Sequence, residues 1–449
     1  MLITNGKLVT WGPDARIIHD GALLIERGRI SEIGPTSELL GKHPGCEIID
    51  AGGMLVMPGN ICAHTHFYGA FARGINIPGE PARNFPEILR RLWWQLARVH
   101  TYEDLRYSAL VCLSDAIKHG TTTLIDHNAS PNAVSGSLDV LAAAVQQAGL
   151  RAVLCYEVSD RGGANGVQAG IAENVRFIRS TRAGEWGERI GATFGLHASL
   201  SLSDDTLQAC TDAVPDGVGF HVHVGEHEFD QQDSLDKSGM RVVERLHRFG
   251  VLGSSTIAAH CVHIDSNELD LLAETDTWVA HQPRSNMNNA VGVADVEGLL
   301  RKGVSVALGN DGFSNNMWAE WKTAYLLHKV WRRDPRRVDG TAIIDMAVLH
   351  SASLANQFFP DAPLGVLAVG SQADIILVDY HPTTPMTSSN LPWHILFGFE
   401  AGMVDTTLCA GEVLMRNRKL LTLDEAEITA RSRELAAGVW QRFANSNIG

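Results

Sequence analysis

Met57-Pro58-Gly59-Asn60-Ile61-Cys62-Ala63-His64-Thr65-His66 decides the reading of the fold. A Met-Pro-Gly turn opens a short apolar run, and two histidines stand at its C-terminal end. Residues two apart on a strand project to one side, so the imidazoles of His64 and His66 can converge on a single ion. The bland alternative for any H-x-H pair is two satisfied core histidines. The rest of the chain chooses between them.

Working outward, short β-branched apolar runs recur at 60–66, 122–127, 152–158, 190–197, 219–224, 256–261, 277–281 and 304–310. Helical periodicity lies between most of them, as at 105–118, 138–148, 172–181 and 240–249. Eight strands with intervening helices is the count of an α/β (β/α)8 TIM-like barrel. A doubly wound open sheet is the alternative. The chain has neither G-x-G-x-x-G nor G-x-x-x-x-G-K-[ST], so a nucleotide-type site gains no support. His64, His66, Asp126, His127, Glu157, His197, His223, His260, His281 and Asp311 all fall at or near the C-terminal ends of the runs. A barrel gathers those ends onto the face that carries catalysis. Packing alone gives no reason for polar groups on all eight strands.

The two ends of the chain read differently. Stretches 2–10 and 22–33 alternate as strands, with turn chemistry at Gly12-Pro13 and Arg27-Gly28; 374–379 and 406–414 repeat the character. Neither end has enough strands for a stable sandwich. They are expected to pair, so that 1–57 and 361–449 form a composite β-sandwich domain with a C-terminal helix, beside a barrel at 58–360. A length of 449 residues suits that division.

Net charge is −14, and no basic cluster offsets it, which argues against nucleic acid and anionic membrane surfaces as partners. A small-molecule substrate and a homo-oligomer are expected. No secretory signal or membrane-length apolar run is evident. The seven cysteines form no C-x-x-C pair, which suggests reduced thiols in a cytoplasmic protein.

Several strand ends carry chemistry. His223, in His221-Val222-His223-Val224-Gly225-Glu226, offers a third nitrogen ligand, although His221 shares its strand face and spacing does not choose between them. Glu226 can take a proton from water and return it to a leaving nitrogen, or it can be a plain helix-start carboxylate. His260 is another strand-end imidazole. Asp311, in Gly309-Asn310-Asp311-Gly312, is either an ordinary Asp-Gly turn or an oxygen ligand that completes a histidine-rich site. The order His-x-His, His, His, Asp along one barrel favours the ligand. The long loop from 67 to about 99 holds Arg73, Trp93 and Trp94. It reads as a lid, or as an ordinary helix face packed on the barrel, which is the preferred reading for the tryptophans. Arg161 follows the third run, and 285–289 either line a pocket mouth or form a polar turn.

These motifs together resemble the amidohydrolase superfamily, its deaminase and chlorohydrolase branch, and most closely the SsnA-type aminohydrolases. The likeness rests on Pro58 to His66, Ala70-Phe71-Ala72-Arg73-Gly74, Gly120-Thr121-Thr122-Thr123, Cys155 to Arg161, Ala259-His260-Cys261-Val262-His263 and Gly309 to Gly312, and covers nearly the whole chain. It implies a hydrolytic deaminase of an amidine-type carbon in a nitrogen heterocycle such as a purine, pyrimidine, pterin or triazine; the alternatives are a hydrolase of an acyclic guanidine or formimino compound, a triazine chlorohydrolase, or a non-catalytic metal-binding scaffold, against which the intact Glu226 argues. One divalent ion, zinc or else iron(II), would sit on His64, His66, His223 and Asp311. Glu226 would be the proton shuttle, and His260 would polarise the attacked centre or the water. His197 would contact substrate, with Arg73, Arg161 and His281 as further candidates. Two departures touch the surroundings of the site: Asn310 stands where many relatives have threonine, and Gln282 where many have asparagine. The fourth run has no lysine to bridge two metals, which is why one ion is expected.

Overall fold

The computed structural model describes residues 1–12 and 15–446. Pro13 of the expected Gly12-Pro13 turn lies outside the described residues. The barrel positions fill in chain order, and all their pairings are parallel. Strands one to three are Asn60–Thr65, Thr121–Asp126 and Arg151–Leu154. Strands five to eight are Phe220–Val224, Ile257–His260, Trp278–His281 and Val306–Leu308. The fourth position is shared by two short strands. Ile190–Ala192 pairs with strand three and Phe194–Ala198 with strand five. Thr193 sits at the break: its N–H donates to the Leu154 carbonyl at 3.2 Å, and its hydroxyl to the Gly219 carbonyl at 2.9 Å. One residue thus serves both neighbours, which a continuous apolar run does not reveal. The ring closes where the N–H groups of Asn310 and Asp311 donate to the His64 carbonyl at 2.9 and 3.1 Å.

Strands buried on both faces read as unbroken apolar runs, as parallel sheets under helices do. The helices begin where capping chemistry allows. Tyr102–Lys118 starts on a capping box of Thr101 and Asp104, and Ser266–Glu274 on one of Asp265 and Glu268. Their apolar faces join the strands in one large core that includes Leu110, Leu124, Leu141, Leu154 and Phe177. A separate cluster ties Ile61, Ile125, Val153, Ile257, Ala280 and Ala307 to Leu354 and Phe359, at and just beyond the helix Ser351–Phe358.

The two ends of the chain meet in one mixed nine-stranded sheet. Leu55–Pro58 is the seam. It runs parallel to the N-terminal strand Leu2–Val9 and antiparallel to Ile375–Val378, so neither end completes the sheet without the other. Ile3, Leu23, Ile25 and Ile30 share an apolar cluster with Ile375, Leu377 and Leu408, so residues from both ends of the chain pack together on this sheet. Gly59 passes the chain from sheet to barrel. A Cβ there would lie 2.3 Å from Thr122 Oγ1, so the crossing needs glycine. The C-terminal helix Glu425–Asn445 docks on Tyr102–Lys118. Tyr107 donates to Glu427, and Arg431 and Arg442 pair with Glu103 and Asp104.

Candidate active site

The strand ends deliver His64, His66, His223, His260 and Asp311 to one buried spot. His66 donates its Nδ1–H to the His127 carbonyl at 2.6 Å, and His223 does the same to the His197 carbonyl at 2.8 Å. A carbonyl only accepts, so both rings are held with Nε2 facing inward. Those two Nε2 atoms lie 3.3 Å apart. Asp311 Oδ1 stands 2.9 Å from His64 Nε2 and 3.0 Å from His66 Nε2. The structure separates His221 from His223 by depth. His221 Nε2 lies 2.8 Å from His64 Nδ1, behind that ring, whereas His223 reaches the cavity.

His260 is fixed by two contacts. Its Nδ1 donates to Asn286 Oδ1 at 2.8 Å, and its backbone N–H donates to Gln282 Oε1 at 3.2 Å. Its Nε2 is buried without a hydrogen-bond partner, 3.6 Å from Glu226 Oε2 and 3.9 Å from Asp311 Oδ2. His260 and Asp311 take φ values of 75° and 54°, a left-handed backbone that residues with a side chain seldom adopt and that concentrates at working sites. Asp311 is therefore both an Asp-Gly turn and an inward carboxylate, with Ser285 donating to its other oxygen.

The two carboxyls are driven apart electrostatically. Burial opposes ionisation of Asp311, but His260, His64 and His66 outweigh it and hold its pKa well below the usual range. Burial and the charge of Asp311 push Glu226 well above that range. Burial lowers His66, yet its hydrogen bond to and charge attraction by Asp311 prevail and raise it to about 9.

The residues fit a divalent cation. Three imidazole nitrogens and a carboxylate oxygen converge there, and His260 Nε2 is buried beside them without a partner. Three nitrogens and one oxygen is a catalytic donor set, and His64, His223, His260 and Asp311 also group within 4.8 Å.

Above the spot opens a cleft. Phe85, Leu89, Trp93 and Trp94, from the short helices 85–99 of the long loop, form its apolar wall; Glu157, His197, Glu226 and Asn289 supply polar groups. The two tryptophans, read from sequence as ordinary packing, line the cleft. His197 is in the lining, with Nδ1 2.6 Å from Ser201 Oγ. Arg73 is exposed and absent from the lining. His281 is buried away from it, its ring 5.4 Å from that of His328. Arg161 stands behind the wall, bonded to Glu157 at 2.6 Å. Sequence reasoning noted Glu157 as a strand-end polar residue and gave it no role; Asn286 and Ser285 belonged to the polar stretch 285–289.

A histidine–aspartate site for a divalent metal, on the C-terminal face of a (β/α)8 barrel that carries a terminal β domain, defines a metal-dependent hydrolase. The chain belongs to the amidohydrolase family, whose profile matches residues 55–414. It is 32% identical to a 5'-deoxyadenosine deaminase of Methanosarcina acetivorans, covering 97% of each chain. It is also 32% identical to a 5-methylthioadenosine/S-adenosylhomocysteine deaminase of Pelotomaculum thermopropionicum, covering 97% of this chain and 98% of that one. An adenosine deaminase from Xanthomonas campestris with bound zinc superimposes with a TM-score of 0.85 at 24% identity, over 98% of both chains. A triazine hydrolase of Arthrobacter aurescens gives 0.81 at 22%, over 97% and 99%. The two solved structures share this fold. The enzyme is a hydrolase of carbon–nitrogen bonds. No helix among the described residues is long and apolar enough to cross a membrane.

Proposed function

We propose that the enzyme hydrolytically removes an amino group from an amidine-type carbon of a nitrogen heterocycle, using one divalent ion, zinc or else iron(II), held by His64, His66, His223 and Asp311. The observation that carries this is the convergence of three Nε2 atoms and Asp311 Oδ1 beneath a cleft whose wall is aromatic and whose edge holds Glu226. An ion there supplies Lewis-acid activation, lowering the pKa of water towards ~7, and a positive charge that favours ionised Glu226. Glu226 accepts a proton from the attacking water and returns it to the ring nitrogen or the departing amine. His260 and Asp311 hold the attacking oxygen in line, and His260 keeps its Nε2 free for this by committing Nδ1 to Asn286. His197 contacts the substrate from the cleft wall. Asn289, 3.5 Å from Glu226 Oε1, orients the shuttle.

On this reading 58–360 is the catalytic unit, and 1–57 with 361–449 its companion. The finer likeness to SsnA-type aminohydrolases names no substrate. The curated relatives put adenine nucleosides on the panel to be tried. Seven free cysteines and an acidic chain suit the cytoplasm. Exposed Leu326, Val330 and Phe397 on the helices Met317–Arg332 and Leu391–Gly398 suit a contact between copies. The test is a metal-replete screen for ammonia release across purines, adenine nucleosides, pyrimidines, pterins and triazines. Ammonia from at least one ring is expected. Hydrolysis confined to acyclic guanidines, chloride release from a chlorotriazine alone, or no turnover at all would overturn the proposal.

A further inference from the structure

Besides Glu226 the cleft is lined by another buried carboxylate, Glu157, that the reaction as described does not use. It lies just beyond the third barrel strand and is 4% exposed. Arg161 Nη2 donates to Oε1 at 2.6 Å, and that guanidinium is itself fixed by Ser159 Oγ at 2.8 Å and by the Trp94 ring at 5.0 Å. Oε2 lies 3.4 Å from His127 Nδ1, which makes no hydrogen bond. Burial works against the charge on Glu157, but His197, His127 and Arg161 outweigh it and keep the carboxyl well below the usual range. A carboxylate offers about four acceptor sites, Arg161 occupies one, and Glu157 is among the residues that line the cleft.

Place and surroundings say what Glu157 meets. One of its oxygens, a His197 nitrogen and a His223 nitrogen lie within 4.8 Å of one another, so the carboxylate stands close to the proposed metal site. No arginine or lysine is among the lining residues, whereas Asp230, Asp311, Glu157 and Glu226 all are, so carboxyls outnumber fixed cations there and suit a ligand that brings a donor.

We infer that Glu157 is a specificity-determining residue that accepts a hydrogen bond from a ring N–H adjacent to the aminated carbon, and that the enzyme therefore favours cyclic-guanidine rings over cyclic amidines. Guanine, isocytosine and pterin have an N–H beside their amino-bearing carbon. Adenine and cytosine have a bare ring nitrogen there, whose lone pair would face the anion. This rests on the heterocycle-deaminase reading and narrows its substrate class. A site built around a required donor discriminates strongly against the analogue that lacks it, because the buried acceptor is then left unmatched.

The experiment pairs isocytosine with cytosine and guanine with adenine, and runs in two arms. The first measures kcat/KM for metal-loaded wild type and Glu157→Gln. The second measures Kd by calorimetry in a Glu226→Gln background, with and without Glu157→Gln, so that binding is read even where nothing turns over. The wild type is expected to favour the N–H member of each pair by at least about 100-fold. In both arms Glu157→Gln should weaken that member by about 10- to 100-fold and narrow the gap, since an amide can also donate to a bare nitrogen. Glu157→Asp, which keeps the charge but shortens the reach, should retain the order of preference with weaker binding. A structural role alone would depress both members of a pair equally. That result, or tighter binding of cytosine and adenine by the Glu226→Gln protein, would overturn the inference. Failure of every ring to release ammonia, with the binding preference intact, would instead count against the proposed reaction.

Discussion

The two ends of the barrel bury charge in opposite ways. At the N-terminal end, Arg151 is 1% exposed at the start of strand three, and every part of it is answered. Its guanidinium meets both oxygens of Asp374 at 3.2 and 3.3 Å, donates to the Glu188 carbonyl at 3.1 Å and lies over the Phe359 ring at 4.8 Å. Asp374 also accepts the N–H of Ala410. The pair ties barrel to terminal sheet. At the C-terminal end, imidazole nitrogens face one another at 3.3 Å, His260 Nε2 has no partner, and His260 and Asp311 sit in a left-handed backbone. Satisfied buried charge holds the architecture together. Imidazole nitrogens and carboxylate oxygens crowded together on a left-handed backbone mark a place suited to a cation.

The comparison breaks most visibly at His66. Replacing His66 with alanine removes one of four converging donors, and the protein should lose its ion and all measurable turnover while still folding. Elemental analysis showing a full complement of metal in His66→Ala would mean that the ligand set is drawn elsewhere, for instance around His260. The mirror experiment is Arg151→Met. Removing one partner of a buried ion pair leaves the other uncompensated, which costs about 3–5 kcal/mol. Chemical denaturation should show a loss of that order, with metal content per folded chain unchanged. Metal loss in Arg151→Met would erase the distinction between the two ends.

A smaller effect follows from His66 itself. In the metal-free chain its pKa rises from an ordinary 6.5 to about 9, so its proton contributes stability that is fully present below 6.5 and lost as pH climbs through about 9. Metal competes with that proton. Zinc binding near neutrality should therefore release at least one proton, and zinc affinity should rise with pH between 6.5 and about 9. Calorimetry in buffers of different ionisation heat counts the protons. A pH-independent affinity across that window would show that His66 is already bare.

Much of this was legible in the sequence, and the gaps have physical causes. Period-two spacing put His64 and His66 on one face, and the barrel order put His223, His260 and Asp311 beside them. Depth along a strand leaves no such trace. His221 has the same face as His223 and differs only in standing one layer lower, behind His64. Loop position likewise gives no direction: Arg73 follows strand one and points to solvent, while Phe85, Trp93 and Trp94 of the same loop return to wall the cleft. His281 ends strand seven yet packs toward His328, because a strand end places a backbone and not a side chain. The split at Thr193 was hidden for a similar reason, since an apolar run looks the same whether one strand or two carry it.

The central claim is that Glu226 moves the proton and takes no part in holding the ion. It is tested most directly by measuring metal content and turnover on one preparation of Glu226→Gln, with a substrate identified by the ammonia screen. The amide keeps the shape of the carboxyl and cannot accept and return a proton. The account predicts about one ion per chain, as in wild type, with turnover reduced by at least ~10²–10⁴. A variant that is fully metallated and nearly as active as wild type would contradict it and hand the proton transfer to His260; a variant that has lost its ion would make Glu226 a ligand.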